Sequence, residues 1–326
     1  MISVSHLRKT YRTPTKKEGT KGLLKNIFAR EYKNIDAVKD ISFEIEQGEL
    51  VGFVGPNGAG KTTTMKMLAG ILYPTSGTVK VLDYIPFEKN HDCLRQISFV
   101  MGQKNQMLWE LPASDTFKLN KTIYEVPDDQ YKKTLSDLVE MLDAQKIIDQ
   151  PVKTLSLGQR MKVELISTLI HRPKVLFLDE PTIGLDVVAQ KNIRDFIQQY
   201  QQLYKATILL TSHYMEDVRR LADRVIIIDH GALLYDGDFE KLVKKYAHTK
   251  AIEIVVDDMP NTATLERVGF IESIEYPKIR FRIPRKDVSE LVAAISKNIP
   301  FIDITVEEEK IEDIVCTIFE KSSVKV

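Results

Sequence analysis

Two short stretches of this chain carry residue types whose spacing suits chemistry on phosphate. Gly55, Pro56, Asn57, Gly58, Ala59, Gly60, Lys61 and Thr62 fit the pattern GxxxxGK[ST], and Thr63 follows directly. Glycines let a backbone fold around phosphate oxygens and turn its N–H groups toward the negative charge. Lys61 is then placed to reach the β and γ phosphates of a nucleotide, and Thr62 to hold Mg2+. The flanks agree with the motif. Leu50–Val54 is an apolar run of strand length, and residues 62–72 repeat their apolar positions at helical spacing. The loop therefore ends on a helix N-terminus, where partial positive charge collects.

The second stretch is Val175–Asp179 with Glu180 after it, a hydrophobic strand ending in two carboxylates. In an open α/β sheet the carboxyl end of the strands is the ligand-binding edge. Asp179 is expected to bind Mg2+ through water. Adjacent side chains on a strand point apart, so Glu180 takes a different part: it orients and polarises an attacking water. The plainer reading of the pair is a solvated strand end, because acids are common there.

Leu155, Ser156, Leu157, Gly158 and Gln159, shortly before that strand, resemble the signature motif of the ATP-binding cassette (ABC) ATPases. Other pieces match that family in sequence order. Gln103 is similar to the Q-loop glutamine, Gly184-Leu185-Asp186 to the D-loop, His213 to the switch histidine, and Tyr11 to the aromatic residue that stacks on adenine. The resemblance covers approximately residues 1–240. It implies two cassettes closing as a sandwich, with the phosphate loop of one and the signature of the other enclosing each ATP. Ser156 and the amides around Gly158 then supply anion donors from across the interface, with Gln159 and Asp186 among the nucleotide contacts. It also implies that His213 touches the γ-phosphate and holds Glu180 and the water in line. Gln103 is implied to sense Mg2+ and to link the sheet to a helical subdomain. Leu157 departs from the glycine most common at its position, which reduces backbone freedom beside the phosphate. Hydrolysis should survive it, because the donors are Ser156 and backbone amides.

These motifs need a scaffold of alternating elements. Val175–Leu178, Ile208–Thr211 and Val225–Ile228 are apolar runs of strand length, and helical text separates the first two, which implies a buried, mainly parallel sheet. The expected fold is α/β: a P-loop NTPase core of the ABC ATPase type with an inserted helical subdomain, plus a small C-terminal α+β domain. Residues 1–245 form the nucleotide-binding domain. Within it, 12–35 is a basic insertion and 104–170 the helical subdomain that carries the signature. In the insertion Leu23, Leu24, Ile27, Phe28 and Tyr32 recur at helical spacing among lysines and arginines. This amphipathic helix rests either near the membrane or permease or on its own domain. Residues 246–326 alternate strands and helices in an order approaching the split βαβ motif. They offer no small-molecule motif and read as dimer-supporting or regulatory.

Composition narrows the setting. Lysine plus arginine and aspartate plus glutamate both number 46 among 326 residues, so no global field draws nucleic acid, and no nucleic acid partner is expected. Cys93 and Cys316 stand far apart without CxxC or Cys/His clustering, which suggests neither a zinc site nor a disulfide framework and fits a reducing cytoplasm. No run of about 18 apolar residues occurs, so the chain is not expected to cross a membrane. The expected partners are integral membrane permease subunits and a second copy of the chain, with ATP and Mg2+ as cofactors. The expected place is the cytoplasmic face of the plasma membrane. Met107, Leu108, Trp109 and Leu111 either receive the permease's coupling helix or belong to the core. The insertion and the late domain resemble efflux and antibiotic-resistance branches, hence an exporter; the rival is a cytosolic ABC ATPase acting on ribosomes or DNA. The cargo is set by the permease.

Overall fold

The computed structural model describes residues 1–14, 32–102, 106–247, 249–261, 265, 271–309 and 311–323. The readings for Gln103 and for residues 23–28 lie outside the described residues. The chain divides into two compact units, Met1–Asp238 and Phe239–Val326. The helix Phe239–Tyr246, which the sequence reading places at the end of the first domain, groups with the second unit. No helix among the described residues is long and apolar enough to cross a membrane.

In the first unit the described strands are β1 (Ile2–Pro14), β2 (Tyr32–Ile45), β3 (Leu50–Val54), β4 (Ser76–Val81), β5 (Ile97–Met101), β6 (Val175–Asp179), β7 (Thr207–Thr211), β8 (Arg224–Asp229) and β9 (Ala232–Asp238). They form one sheet in the order β4-β1-β2-β9-β8-β3-β7-β6-β5. The run β8-β3-β7-β6-β5 is parallel throughout. An antiparallel wing adds β1 with its partners β2 and β4, and β9 turns back along β8. The parallel strands are covered on both faces. Val175 and Phe177 pack with Phe53, Leu209 and Ile226, whereas Leu176 and Leu178 pack with Phe117, Leu138 and Leu165. Two buried faces explain why β6 reads as an unbroken apolar run instead of an alternation.

Phe117, Leu138 and Leu165 come from the helices Ala113–Ile123, Asp128–Met141 and Leu157–Leu169 of the helical subdomain. Each projects from one apolar stripe into the same core. One reading in the insertion needs correction. Tyr32, placed on a helix by its spacing, opens β2 instead: Arg12, Thr13 and Pro14 pair with Asn34, Lys33 and Tyr32. Cross-strand partners override local periodicity here, and the Arg12 guanidinium lies 4.6 Å from the centre of the Tyr32 ring.

The second unit holds β10 (Thr249–Val255), β11 (Ile271–Glu275), β12 (Lys278–Pro284) and β13 (Asp303–Glu308) in the order β11-β12-β10-β13. Every pairing is antiparallel, which is the arrangement of the split βαβ motif. Ile252, Ile254, Phe281 and Ile295 form its core, and Leu265 is buried with them; the rest of the helix expected at 262–268 lies outside the described residues. Arg280 and Arg282 are tied to Glu253, Glu272 and Glu307 by ion pairs. Cys93 is buried, Cys316 is exposed, and both are free thiols.

Candidate nucleotide site

The phosphate loop joins β3 to the helix Lys61–Leu68. Gly60 stands at the helix start with φ of 105°, and no side chain caps that end. A Cβ on Gly60 would lie 2.5 Å from the Ala37 carbonyl oxygen, so the position tolerates neither the dihedral nor the bulk of a side chain. The uncapped first turn leaves its N–H groups to an anion. Lys61 bends back into the loop, where its Nζ donates to the carbonyls of Gly55 at 2.6 Å and Pro56 at 3.1 Å. Burial lowers the lysine's pKa, and the opposing carboxylates of Glu180 and Asp179 raise it. Phosphate oxygens would compete with those two carbonyls for an ammonium already in place. A cavity of about 270 Å3 here is lined by Ala37, Asn57, Gly58, Ala59, Gly60, Lys61, Thr62, Thr63 and Glu180.

Asp179 ends β6, and both its carboxylate oxygens are held. Oδ2 accepts from the Thr62 hydroxyl at 2.8 Å and Oδ1 from the Thr211 hydroxyl at 2.7 Å. A hydroxyl and a carboxylate side by side are hard oxygen donors, the kind Mg2+ takes once or twice from protein before completing its shell with phosphate and water. The pair therefore fits the ion expected from the sequence. Bound there, Mg2+ would neutralise charge developing on the terminal phosphates.

Glu180 is separated from Asp179, but not by strand alternation. It lies one residue past β6 with φ of 57°, in the left-handed region, and the turn itself swings its side chain toward the loop. Its N–H donates to both the carbonyl and the hydroxyl of Thr211, each at 3.1 Å. The imidazole Nε2 of His213 lies 2.8 Å from Glu180 Oε1. A carboxylate so oriented, at the mouth of a phosphate cavity, is placed to accept a proton from water.

Among the described residues, Tyr11, Ser156, Gly158, Gln159, Asp186 and His213 do not line this cavity. Ser156 caps the helix Leu157–Leu169 in a reciprocal box with Gln159: the Ser156 N–H donates to Gln159 Oε1 at 2.9 Å, and the Gln159 N–H to Ser156 Oγ at 3.3 Å. Leu157 projects half into solvent and lies against Gly184, whose Cβ would stand 3.2 Å from Leu157 Cδ2. Asp186 caps the helix Val187–Tyr204 through the Ala189 N–H at 2.8 Å. Signature and D-loop are thus neighbours within one chain, and Val187 and Val188 beside them are exposed at 77% and 69%. Tyr11 sits on β1 opposite Ile35, with Lys9 Nζ 5.4 Å from its ring centre. Met107 is buried, whereas Leu108, Trp109 and Leu111 are exposed. Arg160, from the signature helix, lies 5.1 Å from the Trp109 ring.

Several supporting residues escaped the sequence reading. Asp217 is buried and accepts from Arg194 at 2.6 Å, from the Ser212 hydroxyl at 2.8 Å and from the Thr182 hydroxyl. It thereby ties the segment before His213 and the segment after Glu180 to the helix Val187–Tyr204. Thr211 and Gly102 likewise support the two acids. None has a motif signal; only the threonine ending β7, level with Asp179 in the parallel register, offered a hint.

The comparisons with known proteins agree with this geometry. The ABC transporter family model matches residues 38–183, and the model for an EvrA-like ABC transporter C-terminal domain matches 248–307. The ABC transporter ATP-binding protein NatA of Bacillus subtilis is 34% identical over 215 residues, covering 66% of this chain and 87% of NatA. The bacitracin transport ATP-binding protein BcrA of Bacillus licheniformis is 30% identical over 239 residues, covering 73% and 76%. Among solved structures, a dimeric ATP-binding cassette in a post-hydrolysis state with ADP and Pi superposes with a TM-score of 0.60 at 21% identity. The match covers 73% of this chain and 98% of that one. The chain belongs to the ABC transporter ATP-binding proteins and is an ATPase, related to bacterial export and resistance types.

Proposed function

We propose that two copies of this chain close on two ATP molecules with Mg2+ and drive export through separate permease subunits at the cytoplasmic face of the membrane. The observation that carries this reading is the separation of the donors. Lys61, Thr62 and Glu180 line one cavity and Asp179 is bonded to Thr62 beside them, while the capped helix N-terminus at Ser156 and Gly158 of the same chain is not part of its lining. A second copy turned face to face would bring that N-terminus to the γ-phosphate, completing the anion site with amides and a dipole. Exposed Leu157, Val187 and Val188 supply apolar surface on that face.

In the closed pair Glu180 orients the attacking water and takes its proton, and His213 fixes the carboxylate. Lys61 and the loop amides stabilise the transferring phosphoryl group. Tyr11, Gln103 and Asp186 take the adenine, magnesium and nucleotide contacts that the family resemblance assigns. Movement of the signature helix reaches exposed Leu108, Trp109 and Leu111 through the Arg160–Trp109 contact, which supports that loop as the permease's docking point. The C-terminal unit supports the dimer or regulates it. Kinship with the Nod factor export ATP-binding protein I of Ralstonia nicotianae supports export.

Light scattering of the Glu180→Gln protein tests the closure: ATP with Mg2+ should convert it from one copy to two, and Lys61→Ala should block the change. An ATP-loaded Glu180→Gln protein that stays monomeric would sink the paired-site reading.

A further inference from the structure

Leu157 is the first residue of the helix Leu157–Leu169, and its side chain reaches across to the segment that precedes the helix Val187–Tyr204. Its Cδ2 lies 3.2 Å from where a Cβ on Gly184 would stand. Gly184 has φ of 72°, in the left-handed region, and its missing side chain leaves the niche that the leucine fills. One residue on, Gly158 faces the first turn of the neighbouring helix, where an added Cβ would come within 3.1 Å of the Ala189 Cβ. Two consecutive signature residues thus lean on one support. That support is braced. The Ile183 N–H donates to the Glu180 carbonyl and the Leu185 N–H to the Thr182 carbonyl, each at 3.2 Å. Gln190 Nε2 donates to the Leu185 carbonyl at 3.1 Å, and the Thr182 hydroxyl donates to buried Asp217.

The capping box occupies the N–H groups of Ser156 and Gln159. Those of Leu157 and Gly158, in the same first turn, are left to an anion. Leu157 therefore carries one of the amides on which the paired site depends, and its own side chain anchors that amide. A glycine at 157 would put two residues without side chains in a row, each with more backbone freedom to lose. We propose that Leu157 is a positioning residue for hydrolysis: seated on Gly184, it holds the signature amides where the terminal phosphate of the other copy's ATP arrives. The inference rests on the paired-site reading above and adds to it the side chain that presets the donors. Donors already in place lose less freedom when the pair closes. The contact therefore strengthens pairing and leaves ATP binding by a single copy untouched, since that uses the copy's own phosphate loop. Each pair holds two such helices, so any loss counts twice.

The test takes the full-length Glu180→Gln protein as parent, with saturating ATP and Mg2+. Light scattering over a dilution series gives the dissociation constant of the pair, and titration at concentrations too low for pairing gives the ATP affinity of the single copy. Leu157→Gly, Leu157→Met, Gly184→Asn and the Leu157→Gly/Gly184→Asn double variant are compared, each checked for a cooperative melt. Leu157→Gly should raise the dissociation constant about tenfold with single-copy ATP affinity unchanged. Leu157→Met, long enough to reach Gly184, should stay within about twofold of the parent. Gly184→Asn keeps the leucine and accepts the positive φ, yet fills the niche. It should weaken pairing as Leu157→Gly does, and the double variant should be no worse than either single one, because both remove the same contact. Parent-like pairing of Leu157→Gly would overturn the proposal. So would weak pairing of Leu157→Gly beside parent-like pairing of Gly184→Asn, or losses that add in the double variant, since the leucine would then act only by touching the other copy. A parent that never pairs sinks the paired-site reading and this inference with it. Should Gly184→Asn fail to fold, Gly184→Ala, with the same Cβ, replaces it.

Discussion

Gly102 presses against Glu180: a methyl group on its α-carbon would stand 2.0 Å from the Glu180 carbonyl oxygen, and its own N–H donates to the Asp179 carbonyl at 2.9 Å. The residue after β5 therefore clamps the turn that carries both acids. Gly102→Ala must push that turn aside. We expect ATP binding to persist and kcat to fall by about 10²-fold, since small misplacements of a catalytic group are costly. Steady-state kinetics beside nucleotide titration check this; an equal loss in both would mean general misfolding instead.

His213→Ala removes the contact that aims Glu180 at the cavity. Its kcat should fall nearly as far as that of Glu180→Gln, on the order of 10² to 10³, with little change in ATP affinity. Because the two act as a unit, the double variant should be scarcely worse than either single one, which a double-mutant cycle in kcat measures.

Arg194 and Asp217 form a buried ion pair behind the site. Arg194→Ala leaves Asp217 charged and enclosed, and should lower unfolding free energy by about 3–5 kcal/mol. Adding Asp217→Asn should return part of that loss, because a neutral amide tolerates burial better. Urea denaturation of the two variants reads the difference, and equal midpoints would show that the charge is not the cause.

His171 sets a pH dependence. Burial lowers its folded pKa from 6.5 to about 4, so the fold favours the neutral ring. As pH falls below about 6.5 the unfolded chain gains a proton that the folded one resists, and stability drains away until the folded pKa is passed. His171→Phe keeps a ring against Tyr124 but has no proton to take. Wild type should therefore lose ground to the variant between pH 6.5 and 4. Glu164, with its raised pKa, works in the opposite sense, but does so in both proteins and cancels from the comparison. Melting temperatures across that range provide the check.

Much of the core chemistry was readable because it depends on contiguous residues. A loop that binds phosphate by its own backbone must write its glycines, Lys61 and Thr62 in one run, and a buried parallel strand must be apolar until it reaches its carboxylates. The cap of the helix Leu157–Leu169 is equally local, since the Ser156–Gln159 capping box and the helix occupy one stretch. The tertiary structure decided whatever depends on residues far apart in the chain. Tyr32 became a strand because Pro14 and Thr13 offered cross-strand partners. Glu180 points into the cavity because Thr211 and Gly102 hold a left-handed turn, two contacts that no local pattern records, while its contact with His213 was expected from the family resemblance alone. Asp217 and Glu164 look like ordinary helical acids in sequence. Burial, which depends on every neighbouring element, made one a paired anchor and left the other with an open oxygen beside a cleft.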